Sequence, residues 1–138
     1  MPVIEELIRS GSDGSISFGN YKLDTKSKLD NFEHNGDLYK VKTFDEITKL
    51  ERNGMFVYES VPGTTVENFV AADWGVEFSV EGDQDAQITV QLEDDTDYAV
   101  DVNGVAVGGM KTNMSGKLNA GVELSEGVAA KVRITKRA

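Results

Sequence analysis

The stretch Tyr98-Ala-Val-Asp-Val-Asn-Gly-Val-Ala-Val107 predicts a β-hairpin and is the clearest structural signal in the chain. Its centre is Asn103-Gly104, a pair that favours a type I′ turn because both central residues need a positive φ. A two-residue turn sets Val102 opposite Val105 and, in the same register, Val100 opposite Val107. The apolar residues of both strands then share one face, which we expect to be buried: Tyr98, Val100, Val102, Val105 and Val107.

Apolar and polar residues alternate strictly on both sides of this hairpin. Residues 74–80 and 86–92 predict an antiparallel meander with Val80 opposite Ala86 and Leu92 opposite Val100. Residues 118–124 and 128–134 predict a second hairpin across Ser125-Glu126-Gly127. We expect the core to contain the inward set of these strands: Trp74, Val76, Phe78, Ile88, Val90, Leu92, Val100, Val102, Val122, Val132 and Ile134.

The whole pattern predicts an all-β protein. Roughly eight to ten short strands with evenly spaced turns are typical of an antiparallel β-sandwich, here jelly-roll-like. No linker divides residues 1–138, so we expect one domain. One short helix is expected at about 44–53, because Thr43-Phe-Asp-Glu46 has the form of a capping box and Asn53-Gly54 that of a C-cap. Residues 1–14 place apolar side chains at helical spacing before a Ser- and Gly-rich run, which predicts a flexible or helical N-terminal arm.

The composition excludes several classes of protein. No cysteine is present, which excludes disulfide frameworks and thiolate metal sites. The first residues lack a basic segment followed by an apolar run, so we expect no signal peptide and a cytoplasmic location. No window is apolar enough to span a membrane, and we expect no membrane partner. The formal net charge of −10 opposes contact with phosphate backbones, so nucleic acid is not an expected partner.

The charges are segregated along the chain. Twelve acidic residues and no Lys or Arg lie between Arg52 and Lys111, and the chain after Gly109 carries six cations against two acids. Either the C-terminal segment lies against the acidic segment of its own chain, or it meets that of a neighbour. Sandwich edges also need protection from pairing, and cyclic association is a common form of protection. We therefore expect a small homo-oligomer.

Three acidic residues form the only metal candidate that we single out. Asp94, Asp95 and Asp97 lie in the predicted turn between two strands, where their oxygens could bind Ca²⁺. The spacing is not that of an EF-hand loop. The alternative is a solvated hairpin tip, in which Asp is an ordinary residue.

His34 is the only histidine, and it stands beside the turn-forming pair Asn35-Gly36. A Ser-His-Asp triad could use it, since triads are defined by geometry and not by sequence order. No nucleophile-elbow sequence accompanies it, which favours a surface histidine in a turn. No nucleophile, base and orienting group can be named together, so we expect a non-catalytic binding or structural module that self-associates.

A carbohydrate-active protein is the alternative function. Glycoside hydrolysis needs two carboxyl groups on one cleft, about 5–10 Å apart, and the 24 acidic residues make chance pairs common. The aromatic residues, among them Trp74, Tyr58, Tyr98, Tyr39, Phe56 and Phe78, could stack on a sugar ring, although most have the parity of core residues. A glycan or a small molecule is accordingly the expected class of ligand, and we expect no cofactor other than the calcium ion.

Two resemblances accompany these patterns. Asp101-Val-Asn-Gly-Val-Ala-Val-Gly108, with residues 118–124 and 127–134, resembles PEGA-type β-modules of bacterial surface proteins. The segment 32–63, which holds Phe32-Glu-His-Asn-Gly36 and Met55-Phe-Val-Tyr-Glu-Ser-Val61, resembles uncharacterised small acidic proteins of anaerobic bacteria that sometimes carry the label endosialidase. This second resemblance implies a single-domain β-sandwich and supplies no catalytic residues.

Overall fold

The structure is a computed structural model that describes residues 3–137 of the 138-residue chain. Within that range the chain forms thirteen β-strands and no helix, and hence no helix that could cross a membrane. The strands are β1 (Ile8–Ser10), β2 (Ile16–Phe18), β3 (Ser27–His34), β4 (Asp37–Thr43), β5 (Thr48–Arg52), β6 (Met55–Val61), β7 (Thr65–Ala72), β8 (Gly75–Glu81), β9 (Ala86–Gln91), β10 (Asp97–Val102), β11 (Val105–Lys111), β12 (Lys117–Val122) and β13 (Ala130–Lys136).

Two antiparallel sheets bury their inner faces in one core. Sheet A has the order β1-β2-β7-β8-β13-β10-β11, and sheet B has the order β12-β9-β6-β5-β4-β3. Successive side chains of a strand point to opposite faces, and the inward set of each sheet is apolar. The predicted antiparallel sandwich is therefore confirmed. Every residue expected in the core is buried except Trp74, Leu92 and Val102, which are half-buried.

The hairpin formed by β10 and β11 follows the prediction only near its turn. Asn103 and Gly104 both have positive φ, and Val102 lies opposite Val105 as expected. A bulge then places Gly108, not Val107, opposite Val100. The prediction that Val105 and Val107 are buried is wrong, because β11 is the edge strand of sheet A and leaves them 65% and 54% exposed.

Three predicted strand pairings are also wrong, although the buried faces are right. Leu92 does not lie opposite Val100, because β9 belongs to sheet B and β10 pairs with β11 and β13 in sheet A. β8 pairs with β7 and β13 rather than with β9, which lies in the other sheet between β6 and β12. β12 and β13 likewise belong to different sheets, so the second predicted hairpin does not form. Alternation fixes which side chains face the core but not which strand is the neighbour. A chain that crosses from one sheet to the other keeps the same alternation, because both sheets face one core.

The helix predicted at about 44–53 is wrong. Residues 44–47 form a bend, and Thr48–Arg52 is β5, an interior strand of sheet B. The Thr43 hydroxyl, which would cap the helix, instead accepts a hydrogen bond from the backbone N–H of Asn20 (2.9 Å) and contacts the Thr48 hydroxyl (2.8 Å). A helix of about two turns has little stability of its own, and pairing with β4 and β6 outweighs it.

The N-terminal segment joins sheet A at its edge. β1 pairs with β2, with Ile8 opposite Phe18, and both Ile4 and Ile8 are buried. The helical alternative for this segment is thus not observed in residues 3–14. Residues 1–2 of the predicted arm lie outside the described residues.

Candidate functional site

The outer face of sheet B takes its chemistry from the alternation within β4. Val41 and Thr43 point inward and are fully buried, so Lys40 and Lys42 point outward. The same parity turns Leu50 of β5 into the core and Lys49 outward. Strand geometry, and not a turn or a loop, therefore sets the direction of these lysine side chains.

The strand register brings lysines from three strands side by side. Lys28 of β3 lies directly opposite Lys42, and Lys42 lies directly opposite Lys49. Lys40 is opposite Glu51. These five residues line a shallow concavity of about 180 Å³. We call this surface the lysine face: Lys28, Lys40, Lys42, Lys49 and Glu51.

The lysine face is electrostatically unfavourable by itself. Like charges directly opposite each other destabilise a sheet, and the row of Lys28, Lys42 and Lys49 contains two such pairs. Glu51 lies 3.6 Å from Lys49 Nζ. Within residues 3–137, Lys28, Lys40 and Lys42 have no acidic group within 4 Å. Several cations elsewhere do have acidic partners: Arg9 with Glu6, Lys22 with Glu126, Lys111 with Asp95, Arg133 with Glu77, and Lys136 with Glu93.

This arrangement can hold an anion. Ammonium groups donate charge-assisted hydrogen bonds to carboxylate, sulfate or phosphate oxygens, and such bonds are about twice as strong as neutral ones. A chain with net charge −10 offers few other surfaces for an anion. The lysine face is therefore the best-defined candidate site in the described chain.

Sequence reasoning missed this site because its members belong to separate segments. Lys40 and Lys42 were recognisable as the exposed side of a strand, but Lys49 fell within the predicted helix. The signal that could have placed Lys49 is its alternation with the apolar Leu50, which turns the lysine side chain outward if the segment is a strand. Even a correct strand assignment would not have supplied the register that sets Lys28 beside Lys42.

The predicted calcium ligands lie together in the connection from β9 to β10. Asp94, Asp95 and Asp97 are all exposed, and Lys111 Nζ is 3.3 Å from Asp95 Oδ1. Among residues 3–137, no group of three or more acidic, His or Cys side chains has an arrangement that could hold a metal ion. Calcium binding at these residues remains a prediction.

His34 is buried, which differs from the expected surface histidine. Its Nε2 lies 3.0 Å from the carbonyl oxygen of Gly14, and its Nδ1 lies 2.7 Å from Ser10 Oγ. The carbonyl can only accept, so Nε2 donates to it, and Nδ1 shares a hydrogen bond with the Ser10 hydroxyl. Asp37 Oδ1 accepts a hydrogen bond from Asn53 instead of orienting the ring (2.9 Å). The Ser10–His34 pair consequently links β1 to β3, and no carboxylate within residues 3–137 contacts the imidazole ring.

Two carboxyl groups beside Lys22 have pKa values shifted in opposite directions. Lys22 Nζ lies 3.8 Å from Asp83 Oδ1 and also contacts Glu126 Oε2. The hydrogen bond from Lys22 lowers the pKa of Glu126, whereas desolvation, with the bond to Glu126, raises the pKa of Asp83.

Five of the six aromatic residues named as candidates for stacking on a sugar ring are buried or have a cation over the ring, and Tyr39 is half-buried. Tyr58, Tyr98 and Phe78 are fully buried. The Phe56 ring is covered by Lys117 Nζ at 4.7 Å, and the Trp74 ring is covered by the Arg133 guanidinium at 4.7 Å. Ligand recognition on this protein accordingly depends on charge and hydrogen bonds more than on stacking.

Comparison of the chain with family models, curated proteins and solved structures finds no match. The resemblances to PEGA-type modules and to the proteins labelled endosialidase thus remain predictions from the sequence.

Proposed function

We propose that the protein is a non-catalytic binding module that holds an anionic ligand on the lysine face. The observation that carries the proposal is the row of Lys28, Lys42 and Lys49 on three adjacent strands. The row costs folding free energy when it is empty, because each neighbouring pair repels. A bound anion replaces this repulsion with attraction, which is the balance expected of a binding site.

The ligand class follows from the cations that line the site. Lysine ammonium groups act as compact point charges with rotatable donors and suit several anionic groups, whereas arginine favours planar bidentate contacts. A carboxylate, sulfate or phosphate group meets these requirements. A nucleic acid fits less well, because the −10 charge of the chain repels a long phosphate backbone.

Calorimetric titration with tripolyphosphate tests the anion site. We expect binding that weakens as salt rises, and a loss of about tenfold in Lys42→Gln, since a charged hydrogen bond contributes about 1.5 kcal/mol or more. Lys131→Gln removes the same charge from sheet A and is the matched control. Equal losses in both variants, or no binding to the parent protein, would contradict the proposal.

The non-catalytic part of the proposal has its own test. Incubation with sialylated and neutral oligosaccharides should produce no hydrolysis products. Turnover that a single Asp or Glu substitution abolishes would refute this part and favour the glycan hydrolase alternative.

We further propose that the module self-associates through β11. This edge strand exposes Val105 and Val107 and carries no charged side chain before Lys111. Uncharged, apolar edges are sites of strand pairing between chains, although the bulge in β11 shortens the regular stretch. Charge complementarity between chains has less support, because Arg133 binds Glu77 of the same chain at 2.9 Å and Lys136 binds Glu93 at 2.7 Å.

Sedimentation across micromolar to millimolar concentrations tests this association. We expect a species larger than 15.0 kDa in the parent protein and a monomer in Val105→Lys. Val61→Lys is the control, because Val61 is 51% exposed but belongs to an interior strand. A monomeric parent protein at all concentrations would refute self-association.

A further inference from the structure

The lysine row continues across the whole outer face of sheet B. Lys49 lies opposite Glu59 of β6, Glu59 lies opposite Thr89 of β9, and Thr89 lies opposite Asn119 of β12. All these side chains are exposed or half-buried. Five strand spacings of about 4.8 Å give a polar track roughly 24 Å long. The order along this track is Lys28, Lys42, Lys49, Glu59, Thr89 and Asn119.

The charge along the track changes at Glu59. Three cations occupy one end, a single carboxylate follows, and two neutral hydrogen-bonding side chains occupy the other end. A uniformly charged polymer would bring its negative charge onto Glu59 and meet repulsion there. The ligand that fits the full track therefore carries its negative charge at one end only.

The neutral end is arranged to hold hydroxyl groups. Asn119 Nδ2 donates a hydrogen bond to Thr89 Oγ1 at 2.7 Å. This bond fixes both side chains and leaves the Thr89 hydroxyl hydrogen as a donor and Asn119 Oδ1 as an acceptor. A vicinal diol supplies a matching acceptor and donor, and Glu59 can accept from a further hydroxyl.

We infer that the lysine face binds an oligosaccharide with an acidic sugar at one end, and that its neutral sugars lie over Glu59, Thr89 and Asn119. The inference rests on the proposed anion site and adds the ligand class to it. The acidic group lies among Lys28, Lys42 and Lys49, and the hydroxyl groups of the neutral sugars exchange hydrogen bonds with the remaining side chains. Stacking does not contribute, because Lys117 covers the nearby Phe56 ring.

Titration with three probes tests the inference: a tetrasaccharide that ends in glucuronate, its neutral glucose counterpart, and tripolyphosphate. We expect binding of the first and third probes and none of the neutral tetrasaccharide. Asn119→Ala should weaken binding of the acidic tetrasaccharide about two- to tenfold, the value of one or two neutral hydrogen bonds, and leave tripolyphosphate binding unchanged. Gln84→Ala removes an exposed amide from a loop outside the track and should change neither affinity.

The outcomes distinguish the anion site on the lysine face from the binding of neutral sugars beside it. If Lys42→Gln weakens both anionic probes but Asn119→Ala has no effect on the tetrasaccharide, the anion site stands and the oligosaccharide inference is overturned. If neither anionic probe binds the parent protein, both are overturned. Equal binding of the acidic and neutral tetrasaccharides would also overturn the role of the lysine row.

Discussion

Replacing Lys42 with glutamate should stabilise the protein and abolish anion binding. Lys42 has a lysine directly opposite on each side, Lys28 and Lys49. The substitution removes two repulsive cross-strand pairs and creates two attractive ones, each worth about 0.2–1 kcal/mol. We expect a gain of about 1 kcal/mol in the free energy of unfolding. For a chain of this length that gain corresponds to a rise of about 3–4 °C in Tm.

Thermal unfolding at low and high salt measures this effect. The gain should shrink in 1 M salt, where the Debye length is about 3 Å. Lys131→Glu makes the same change in net charge and is the control. Lys131 Nζ lies 4.0 Å from Glu77 Oε2, so the new carboxylate would lie near another carboxylate and should not stabilise the protein. A lower Tm for Lys42→Glu at low salt, or a gain that 1 M salt leaves intact, would refute the electrostatic reasoning.

Three other predictions address the core, the buried hydroxyls and a charged contact. Val90→Ala truncates a buried side chain and should cost about 2 kcal/mol or more in chemical denaturation, and a cost below roughly 0.5 kcal/mol would contradict its place in the core. The Thr48 hydroxyl is the buried partner of the Thr64 backbone N–H at 3.0 Å and of the Thr64 carbonyl at 2.8 Å. Thr48→Val leaves both groups without this partner and should cost about 1–3 kcal/mol in the free energy of unfolding. Thr25→Val, at an exposed position, should cost little. Lys22→Gln should raise the pKa of Glu126 in a carbon-detected NMR titration, because the hydrogen bond from Lys22 lowers it. The stability from this contact is present above the unfolded pKa of Glu126 and is lost as pH falls through the folded pKa, so the variant should lack it. An unchanged Glu126 pKa would exclude the contact.

The residues that face the core could be predicted from the sequence because burial imposes a local pattern. Val76, Phe78 and Val80 alternate with polar residues whichever strand lies beside them. The strand order could not be predicted in the same way. Neighbours in a sheet are set by long-range packing, and the switch of β9 into sheet B leaves no local signature in the chain.

The local signals that failed were overruled by tertiary contacts. Thr43-Phe-Asp-Glu46 has the form of a capping box, but the Thr43 hydroxyl forms hydrogen bonds with Asn20 and Thr48 instead of capping a helix. Val105 and Val107 had the composition of core residues, yet an edge position exposes them. His34 looked like a surface residue, and only the return of β1 beside β3 supplies the Ser10 hydroxyl that it binds.

The lysine face illustrates why a surface assembled from several strands is harder to predict than a fold. Each lysine is an ordinary exposed strand residue, and only the register across three strands assembles them. The net charge of −10 does not indicate a cationic surface, because acidic residues outnumber basic ones in the chain. Counting charges along the sequence therefore conceals a cationic surface that the fold creates.

Amide chemical-shift mapping tests the central claim most directly. The 15.0 kDa chain, labelled with ¹⁵N, is titrated with tripolyphosphate at low salt. We predict saturable shifts centred on β3, β4 and β5 around Lys28, Lys42 and Lys49, and their loss in Lys42→Glu. Shifts centred on sheet A, or no saturable shifts at all, would contradict the claim that the lysine face is an anion-binding site.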